Sequence, residues 1–377
     1  VKGLRFIGEC FSSVFTQKRK HAFFREIADW ENRITSLSPD RVYLDAQCAL
    51  RTALYHKLGI PVVLVETMPL SLYDPWVPPF TSGLIPKQTS ISRLGIRLAW
   101  EKIVIVRKIR NLFFSMLLCR QDYFSLYKRL FLECGFPFEE KIDWRRPFII
   151  GIKESKILSM NPSSLDFPRK YPPNCQYAPS RVDLTREDPM LNQRYARVME
   201  EVCLQKQQRP DIKIIYCFSS TVMGFEKRSK FMKIRDLCLR NPQFVFILSV
   251  GKYHNTSYLL PCPSNLYVFQ QVPQLHLLSY CDLMITSGGM NSIAECIEKE
   301  VPMLVCPLSL KSDQLGNSAR VVYHGLGLRA RIKLDSSRTI EKRIVQLFEN
   351  YATFKRNLSM MRTKILAEST AINTEVI

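Results

Sequence analysis

No apolar stretch in this sequence reaches the roughly 18–20 uninterrupted residues that a membrane-spanning helix needs. The start of the sequence shows no signal-peptide pattern, and no cluster of side chains has the spacing of a metal site. The twelve cysteines include no CxxC pair. Cys217 and Cys306 are typical of small core residues because they lie within apolar strand patterns. These absences favour a reducing cytoplasm and predict no bound metal.

Acidic residues are scarce relative to basic ones, with 34 against 54 and a formal net charge of +20. Such an excess suits nucleic-acid or membrane partners, but no nucleic-acid recognition motif accompanies it, so we expect no nucleic-acid partner. The chain is 46% hydrophobic and 23% charged, which predicts a folded core rather than disorder. Its 377 residues are enough for two domains.

The most informative stretch runs from Val272 to Gln314. Residues 282–286 form a short apolar run that predicts a buried parallel strand, and Ser287-Gly288-Gly289 interrupts it. Residues 290–297 have helical spacing and residues 301–306 predict a second strand. Glycines at such a turn let a ligand approach the backbone without a Cβ clash. The following helix directs unpaired N–H groups and a partial positive charge at the same point, which suits a phosphate.

Polar side chains surround this turn. Asn291 and Ser292 lie in the first turn of the predicted helix, and Glu295 follows one turn later. A carboxylate at that place can accept hydrogen bonds from ribose hydroxyls. Asp313 and Gln314 follow the second strand at the carboxyl edge of the sheet, where open α/β sheets bind ligands. The glycine turn alone occurs in many nucleotide-binding folds and does not identify the ligand.

The whole stretch resembles the donor-binding signature of the UDP-glycosyltransferase superfamily, particularly its bacterial macrolide-type branch. The residues that carry the resemblance are Val272-Pro273-Gln274, the turn from Gly288 to Ser292, Glu295, Val301-Pro302, Pro307 and Asp313-Gln314. The resemblance implies an α/β protein of the GT-B fold, with two Rossmann-like domains whose parallel sheets face each other across a cleft. It covers the donor domain well, and the first domain only in its sheet pattern.

The resemblance also implies a reaction: inverting transfer of a hexose from a UDP- or TDP-sugar to a hydroxyl of a lipophilic small-molecule or lipid acceptor. No cofactor is expected besides the nucleotide-sugar donor itself. Carried over by position, the residues that bind the donor phosphates are Ser219, Ser220, Ser287, Gly288, Gly289, Asn291 and Ser292. Those that bind the nucleoside are Gln271, Val272, Gln274 and Glu295, and those that bind the sugar are Asp313 and Gln314. For Ser219, a simple helix cap is an equally good interpretation.

The catalytic centre that the resemblance implies is incomplete. Asp45 matches the aspartate that orients the catalytic histidine, although a helix N-cap explains this residue equally well. The histidine of the family lies in the first strand–helix loop. None of the histidines here occupies that position; they are His21, His56, His254, His276 and His324. The sequence opens at Val1 on a strand-like run, so we expect that the first strand–helix unit is missing from it.

Two substitutions depart from the family pattern. Ser287 stands where the family usually has a histidine, and Gln271 stands where an aromatic residue often stacks on the nucleobase. Together with the missing base, they leave a second interpretation open: a catalytically degenerate glycosyltransferase-like protein that binds a nucleotide or a lipid. An epimerase on the same fold is a third interpretation, less compatible with the pattern through Asp313-Gln314.

The rest of the chain alternates between strands and helices. Helices are predicted over 20–38, 46–58, 227–240, 338–347 and 351–366, and strands over 39–45, 59–65, 210–218, 244–248 and 266–269. Residues 66–90 predict a long loop. The proline-rich residues 155–184 predict an irregular segment in which the chain passes from the first domain to the second. We therefore expect an acceptor-binding domain over 1–189 and a donor-binding domain over 190–355. A C-terminal helix and tail over 356–377 would pack back on the first domain.

A basic segment lies between the predicted loop and that irregular segment. Residues 87–130 contain ten basic and two acidic side chains, a net charge of +8, interleaved with large apolar residues. A basic helix with an apolar face can lie on an anionic membrane surface. A core-packed helix with a solvated basic face is the alternative. The predicted location is therefore the cytoplasm, either free in solution or peripherally attached to the inner face of the membrane.

Overall fold

Two units are distinguished by their internal contacts. The computed structural model describes residues 17–118, 120, 122–147, 151–170, 172–179, 182–186, 193–218, 227–251, 257–309 and 312–370. The first unit comprises Val1–Pro79, Pro86–Asn161 and Pro168–Ala178, and the second comprises Phe80–Ile85, Pro162–Phe167 and Pro179–Ile377. The domain boundaries expected from the sequence stay predictions, and the strand-like run with which the sequence opens lies outside the described residues.

The first unit is built on a parallel sheet. Its strands are β1 (Val42–Asp45), β2 (Val62–Glu66), β3 (Ile142–Asp143), β4 (Gly151–Ile152), β5 (Lys156–Ser159) and β6 (Cys175–Tyr177). Its helices are α1 (Gln17–Leu37), α2 (Thr52–Lys57), α3 (Ser90–Leu117), α4 (Tyr123–Glu133) and α5 (Phe138–Lys141), with a 3₁₀ helix over Ala46–Arg51. The sheet order is β1-β2-β5-β6 with every pair parallel, while β3 and β4 form a separate antiparallel pair. The predicted alternation of strand and helix is confirmed here.

The prediction of an irregular segment over 155–184 is wrong in part. Strands β5 and β6 lie within it and extend the first sheet by two parallel strands. The prolines indicated an irregular segment, but they stand between the two strands rather than within them, at Pro162, Pro168, Pro172 and Pro173. Each strand is only three or four residues long, too short for a clear alternation pattern.

The second unit has a larger sheet. Its strands are β7 (Lys213–Phe218), β8 (Phe244–Ser249), β9 (Leu266–Phe269), β10 (Leu283–Thr286), β11 (Met303–Val305) and β12 (Gly327–Arg329). Its helices are α6 (Gln193–Gln208), α7 (Lys227–Arg240), α8 (Gln274–Leu278), α9 (Met290–Glu298), α10 (Gln314–Tyr323), α11 (Ser337–Glu349) and α12 (Tyr351–Thr370), with 3₁₀ helices over Ser163–Leu165 and Ser257–Leu259. Among the described helices of both units, none is long and apolar enough to cross a membrane.

The strand order of this sheet decides where a ligand can bind. All six strands are parallel in the order β12-β11-β10-β7-β8-β9. The chain therefore winds outward in both directions from β7, and the order reverses between β7 and β10. Open α/β sheets bind ligands beyond the carboxyl ends of the strands at such a reversal. Ser287-Gly288-Gly289 directly follow β10, so the glycine turn lies at this point.

Both faces of the sheet are buried, which explains the unbroken apolar run over residues 282–286. Met284 of β10 enters one hydrophobic core, and its neighbours Leu283 and Ile285 enter a second core on the other face. Cys217 and Cys306 belong to the second core as free thiols. Burial raises the pKa of the Cys306 thiol to about 12, so both the location and the chemistry confirm a packing role.

Candidate functional site

The glycine turn after β10 has a backbone conformation that its sequence requires. Gly288 has a φ of +86°, in the left-handed region that favours glycine, and a Cβ added there would lie 2.6 Å from Cγ1 of Val305. Gly289 differs: a Cβ added to it would meet nothing within 4 Å. Gly288 therefore shapes the turn, and the open space beside Gly289 leaves the backbone accessible to a ligand.

These two glycines give a matched pair of substitutions. We expect Gly288→Ala to lower the free energy of unfolding by about 1–3 kcal/mol, because the new Cβ meets a buried side chain and a left-handed backbone. Gly289→Ala should cost less, at most about 1 kcal/mol for a weaker helix N-cap, since φ at Gly289 is −66° and the space is open. Urea-induced unfolding measures both, and equal losses would contradict the assigned conformations.

Helix α9 begins where the turn ends. Gly289 is its N-cap residue, and no side chain caps the first turn. The amides of Met290, Asn291 and Ser292 have no intrahelical carbonyl to bond, because the first turn of any α-helix leaves them over. Gly289 and Met290 are half-buried and Asn291 is exposed, so this end of the helix is open to solvent. A partial positive charge and free donors are thus presented at the reversal point of the sheet.

A hydrogen-bonded network holds Glu295 one turn further along α9. Its Oε2 accepts from Nε2 of Gln274 at 2.8 Å, and its Oε1 forms an ion pair with Nη1 of Arg186 at 3.2 Å. Gln274 is fixed in turn by the hydroxyl of Tyr216, which donates to its Oε1 at 3.2 Å. Nε2 of Gln274 also lies 3.4 Å from Oγ of Ser292. The structure therefore brings together three residues that the sequence predicted to bind the donor.

Asp313 and Gln314 form a second group on the other side of the turn. The side-chain amide of Asn317 links Asp313 to the glycine turn, because it donates to the carbonyl of Gly288 at 2.9 Å and to Oδ2 of Asp313 at 2.8 Å. Burial raises the pKa of the Asp313 carboxyl, and the bond from Asn317 opposes that shift. Oε1 of Gln314 accepts from the backbone amides of Leu308 and Ser309 at 2.8 and 3.1 Å. Gln314 thus anchors the loop after β11 through its oxygen.

A pocket of about 730 Å³ lies beyond the carboxyl end of β9. It is lined by Gln193, Arg194, Arg197, Val198, Phe269, Gln270 and Gln271. The guanidinium of Arg194 stacks on the ring of Phe269, with its carbon 4.8 Å from the ring centroid, and donates to the carbonyl of Val268 at 2.9 Å. Gln271, predicted to contact the nucleobase, lies in this wall, whereas the neighbouring Val272 side chain belongs to the core.

Comparison with known proteins bears on this unit directly. The model of the family "UDP-glucoronosyl and UDP-glucosyl transferase" matches residues 243–367, which include the glycine turn, Glu295 and Asp313-Gln314. The resemblance predicted from the sequence is therefore confirmed.

Individual relatives are glycosyltransferases. The chain is 33% identical over 140 residues to the NDP-glycosyltransferase YjiC of Bacillus subtilis, covering 37% of this chain and 33% of that protein. It is 26% identical over 215 residues to the zeaxanthin glucosyltransferase of Pantoea ananas, covering 56% of this chain and 46% of the relative. The matched region thus spans less than half of the length of each of these two relatives.

Solved structures show the same fold. The glycotransferase of kitacinnamycin aligns with a TM-score of 0.60 at 18% identity, covering 94% of this chain and 80% of that one. The spinosyn rhamnosyltransferase SpnG, complexed with thymidine diphosphate, aligns with a TM-score of 0.57 at 17% identity, covering 95% and 78%. The predicted fold class, α/β with parallel sheets of the GT-B type, is confirmed.

Ser287 stands where the family usually has a histidine, and the structure gives no reason for this substitution. Its side chain is only 2% exposed, so it is enclosed beside the turn rather than projecting into solvent as a donor. Ser219 and Ser220, also predicted to contact the phosphates, lie outside the described residues. The predicted contacts of Ser287, Ser219 and Ser220 with phosphate stay predictions.

Asp45 and the side chains of His56, His276 and His324 can be placed, whereas His254 lies outside the described residues. Asp45 is the N-cap of the 3₁₀ helix after β1, where its Oδ1 accepts from the amide of Gln47 at 2.7 Å. The N-cap interpretation is thus confirmed, and its role as a dyad partner stays a prediction. His56 lies exposed on α2 and packs edge-on against Phe136.

The remaining described histidine side chains have structural partners. Nδ1 of His276 lies 2.9 Å from the hydroxyl of Tyr195. Nε2 of His324 lies 3.1 Å from the carbonyls of Leu165 and Asp166, and burial lowers the pKa of this imidazole. Because carbonyls only accept, His324 must carry its proton on Nε2. Within the described residues, no group of three or more potential metal ligands is present.

Sequence reasoning missed four polar residues near this site: Arg186, Arg194, Arg197 and Asn317. Arg186 lies in the irregular segment 182–186, after β6 and before α6 in the chain, and has no periodicity to reveal it. Arg194 and Arg197 lie on α6, whose buried Tyr195, Met199 and Val202 have the spacing of an amphipathic helix and could have indicated it. Asn317 lies four residues after Asp313, a spacing that places two side chains on one helix face.

Proposed function

We propose that this protein is a glycosyltransferase that uses a nucleotide-sugar donor and binds it in the second unit. The observation that carries the proposal is the junction of β10 and α9. There, the N-terminus of α9 is open at the reversal point of the sheet, and the fixed carboxylate of Glu295 lies about one turn further along the helix. A diphosphate would meet the amides, and the ribose attached to it would reach the carboxylate one turn further on.

The proposed roles follow from what each group can do. The amides of residues 289–292 stabilise negative charge on the departing diphosphate, and this stabilisation grows as the glycosidic bond breaks. Glu295 accepts hydrogen bonds from ribose hydroxyls in an orientation that Gln274 and Arg186 hold. Asp313 and Gln314 face the sugar, and Gln271 with the backbone of Val272 contacts the nucleobase. Transfer with inversion needs a base for the acceptor hydroxyl, and Asp45 would orient that base.

The identities of donor and acceptor are proposals as well. A spinosyn rhamnosyltransferase of the same fold has been solved with thymidine diphosphate, which supports a UDP- or TDP-hexose as the donor. A relative is named for glucosyl transfer to zeaxanthin, which supports a lipophilic hydroxyl acceptor. The remaining proposed partner is an anionic membrane surface contacted by residues 87–130, with the protein in the cytoplasm.

Calorimetric titration of the full chain tests donor binding. We expect UDP or TDP to bind roughly 10–100-fold more tightly than UMP or TMP, because the second phosphate adds charge-assisted hydrogen bonds to the helix amides. Equal affinity for mono- and diphosphates would contradict the assigned phosphate site. Mass spectrometry of a UDP-hexose incubated with lipophilic alcohols then tests transfer.

A second candidate function is nucleotide binding without transfer. It is favoured by Ser287, which is enclosed and cannot carry positive charge where the family usually has histidine. The two candidates differ in one measurement: tight diphosphate binding with no glycosylated product and no released hexose would select the binding protein.

A further inference from the structure

Helix α3 (Ser90–Leu117) carries a long apolar stripe that is exposed. Its large side chains recur at the spacing of one helix face and are 54–85% exposed; they are Ile91, Leu94, Leu98, Ile105, Ile109, Leu112 and Met116. The helix has 28 residues and is about 42 Å long, so the stripe runs along most of it. A continuous apolar surface of this kind marks a contact with a partner or a membrane.

The opposite side of α3 attaches it to the first unit. Its buried residues are Ile96, Trp100 and Arg107. Each stands two positions after a stripe residue, a step of about 200° around the helix axis. Nε1 of Trp100 donates to the carbonyl of Val77 at 2.9 Å, and Nη1 of Arg107 donates to the carbonyl of Trp144 at 3.2 Å. Core packing therefore explains this side of the helix and leaves the stripe uncovered.

Basic side chains accompany the stripe along the helix. Arg97 and Lys108 lie along one border, Arg110 lies toward the other, and Lys102 interrupts the stripe itself; all four are exposed. On α3 only Glu101 is acidic, and it pairs with Arg145 at 3.1 Å. The net charge of the surface around the apolar residues is therefore positive.

We propose that the stripe of α3 seats the first unit on a membrane surface that contains anionic lipid. The apolar side chains would enter the boundary between head groups and acyl chains, with the helix lying in the plane of the surface. Arg97, Lys102, Lys108 and Arg110 would stay among the head groups, where anionic phosphates attract them. The helix is amphipathic and charged, and it does not meet the requirements of a membrane-spanning helix.

Charge favours an anionic lipid surface over a second copy of the chain as the partner of this stripe. Two stripes packed against each other would bring the basic borders of both helices together, and Lys102 would enter the apolar seam. An anionic lipid surface instead complements the stripe and its borders at the same time. The proposal does not depend on glycosyl transfer, because α3 lies outside the donor-binding unit.

Flotation of the full chain with vesicles tests this surface. We expect the chain to float with vesicles that are about one third phosphatidylglycerol. Flotation should fall in about 1 M salt relative to about 0.1 M salt, because the Debye length shortens from about 10 Å to about 3 Å. The double variant Ile105→Ser/Ile109→Ser should lose on the order of 10–100-fold in apparent affinity, since apolar area no longer enters the surface. Arg97→Gln/Lys108→Gln should weaken binding at low salt only.

A matched control is the double variant Leu204→Ser/Leu239→Ser, on helices of the second unit. Both leucines are 56% exposed, as the stripe residues are, but they lie outside the stripe. This variant should bind vesicles like the parent, and thermal unfolding should be unchanged in all three double variants. Equal loss in the control variant, or no flotation of the parent at low salt, would overturn the proposal. So would a stable dimer without lipid that the Ile105→Ser/Ile109→Ser variant dissociates.

Discussion

Glu295→Ala is expected to lower the affinity for UDP or TDP roughly 10–100-fold, because the ribose hydroxyls lose a charged acceptor worth about 1.5–3 kcal/mol. The two carboxylate oxygens are held by Gln274 at 2.8 Å and Arg186 at 3.2 Å, so the acceptor is already oriented before a ligand arrives. Calorimetry with the diphosphates measures the loss. The same variant should retain the cooperative unfolding of the parent.

The matched control for this variant lies on the same helix. Glu298 also has an arginine partner, since its Oε1 accepts from Nη2 of Arg362 at 2.9 Å, but that partner belongs to α12. Glu298→Ala should leave diphosphate affinity within about twofold and cost at most about 1 kcal/mol of stability. If both variants lost affinity equally, the effect would come from helix α9 as a whole, and Glu295 would have no direct contact with the ribose.

Asp166→Ala is expected to destabilise the second unit by about 3–5 kcal/mol, because it leaves the guanidinium of Arg320 buried without its carboxylate. Oδ1 of Asp166 accepts from Nη2 and Nε of Arg320 at 2.6 and 2.9 Å. The two side chains are only 7% and 2% exposed. This pair fixes the segment Pro162–Phe167 to α10, so its loss should also release that segment. Urea-induced unfolding, followed by circular dichroism, measures the change.

An exposed ion pair in the same unit provides the comparison. Glu341 and Arg240 approach to 2.7 Å, with side chains that are 24% and 33% exposed. Glu341→Ala should cost no more than about 1 kcal/mol, because solvent screens this pair. The double variant Asp166→Ala/Arg320→Met should be less destabilised than Asp166→Ala alone, since no buried charge remains unpaired. A loss below about 1 kcal/mol for Asp166→Ala would show that Arg320 finds another partner.

Most of the donor-binding unit could be predicted because its signals are local. The helix over 227–240 and the strand over 266–269 have the predicted bounds, and β10, α9 and β11 follow the predicted order. Strong apolar runs bounded by glycine or proline define such elements within a few residues of sequence. Strands β5 and β6 were missed because three or four residues between prolines give no clear period.

The sequence of this protein determined the elements of the second unit and the turn that joins β10 to α9. The period of the apolar residues and the placement of glycine, which define these features, are properties of neighbouring residues. Only the tertiary structure decided that Gln274 and Arg186 hold Glu295, since these residues are separated by many positions and meet only when the sheet forms. It also decided that the stripe of α3 is exposed. An amphipathic pattern shows that a helix has an apolar face, but what covers that face depends on the rest of the fold.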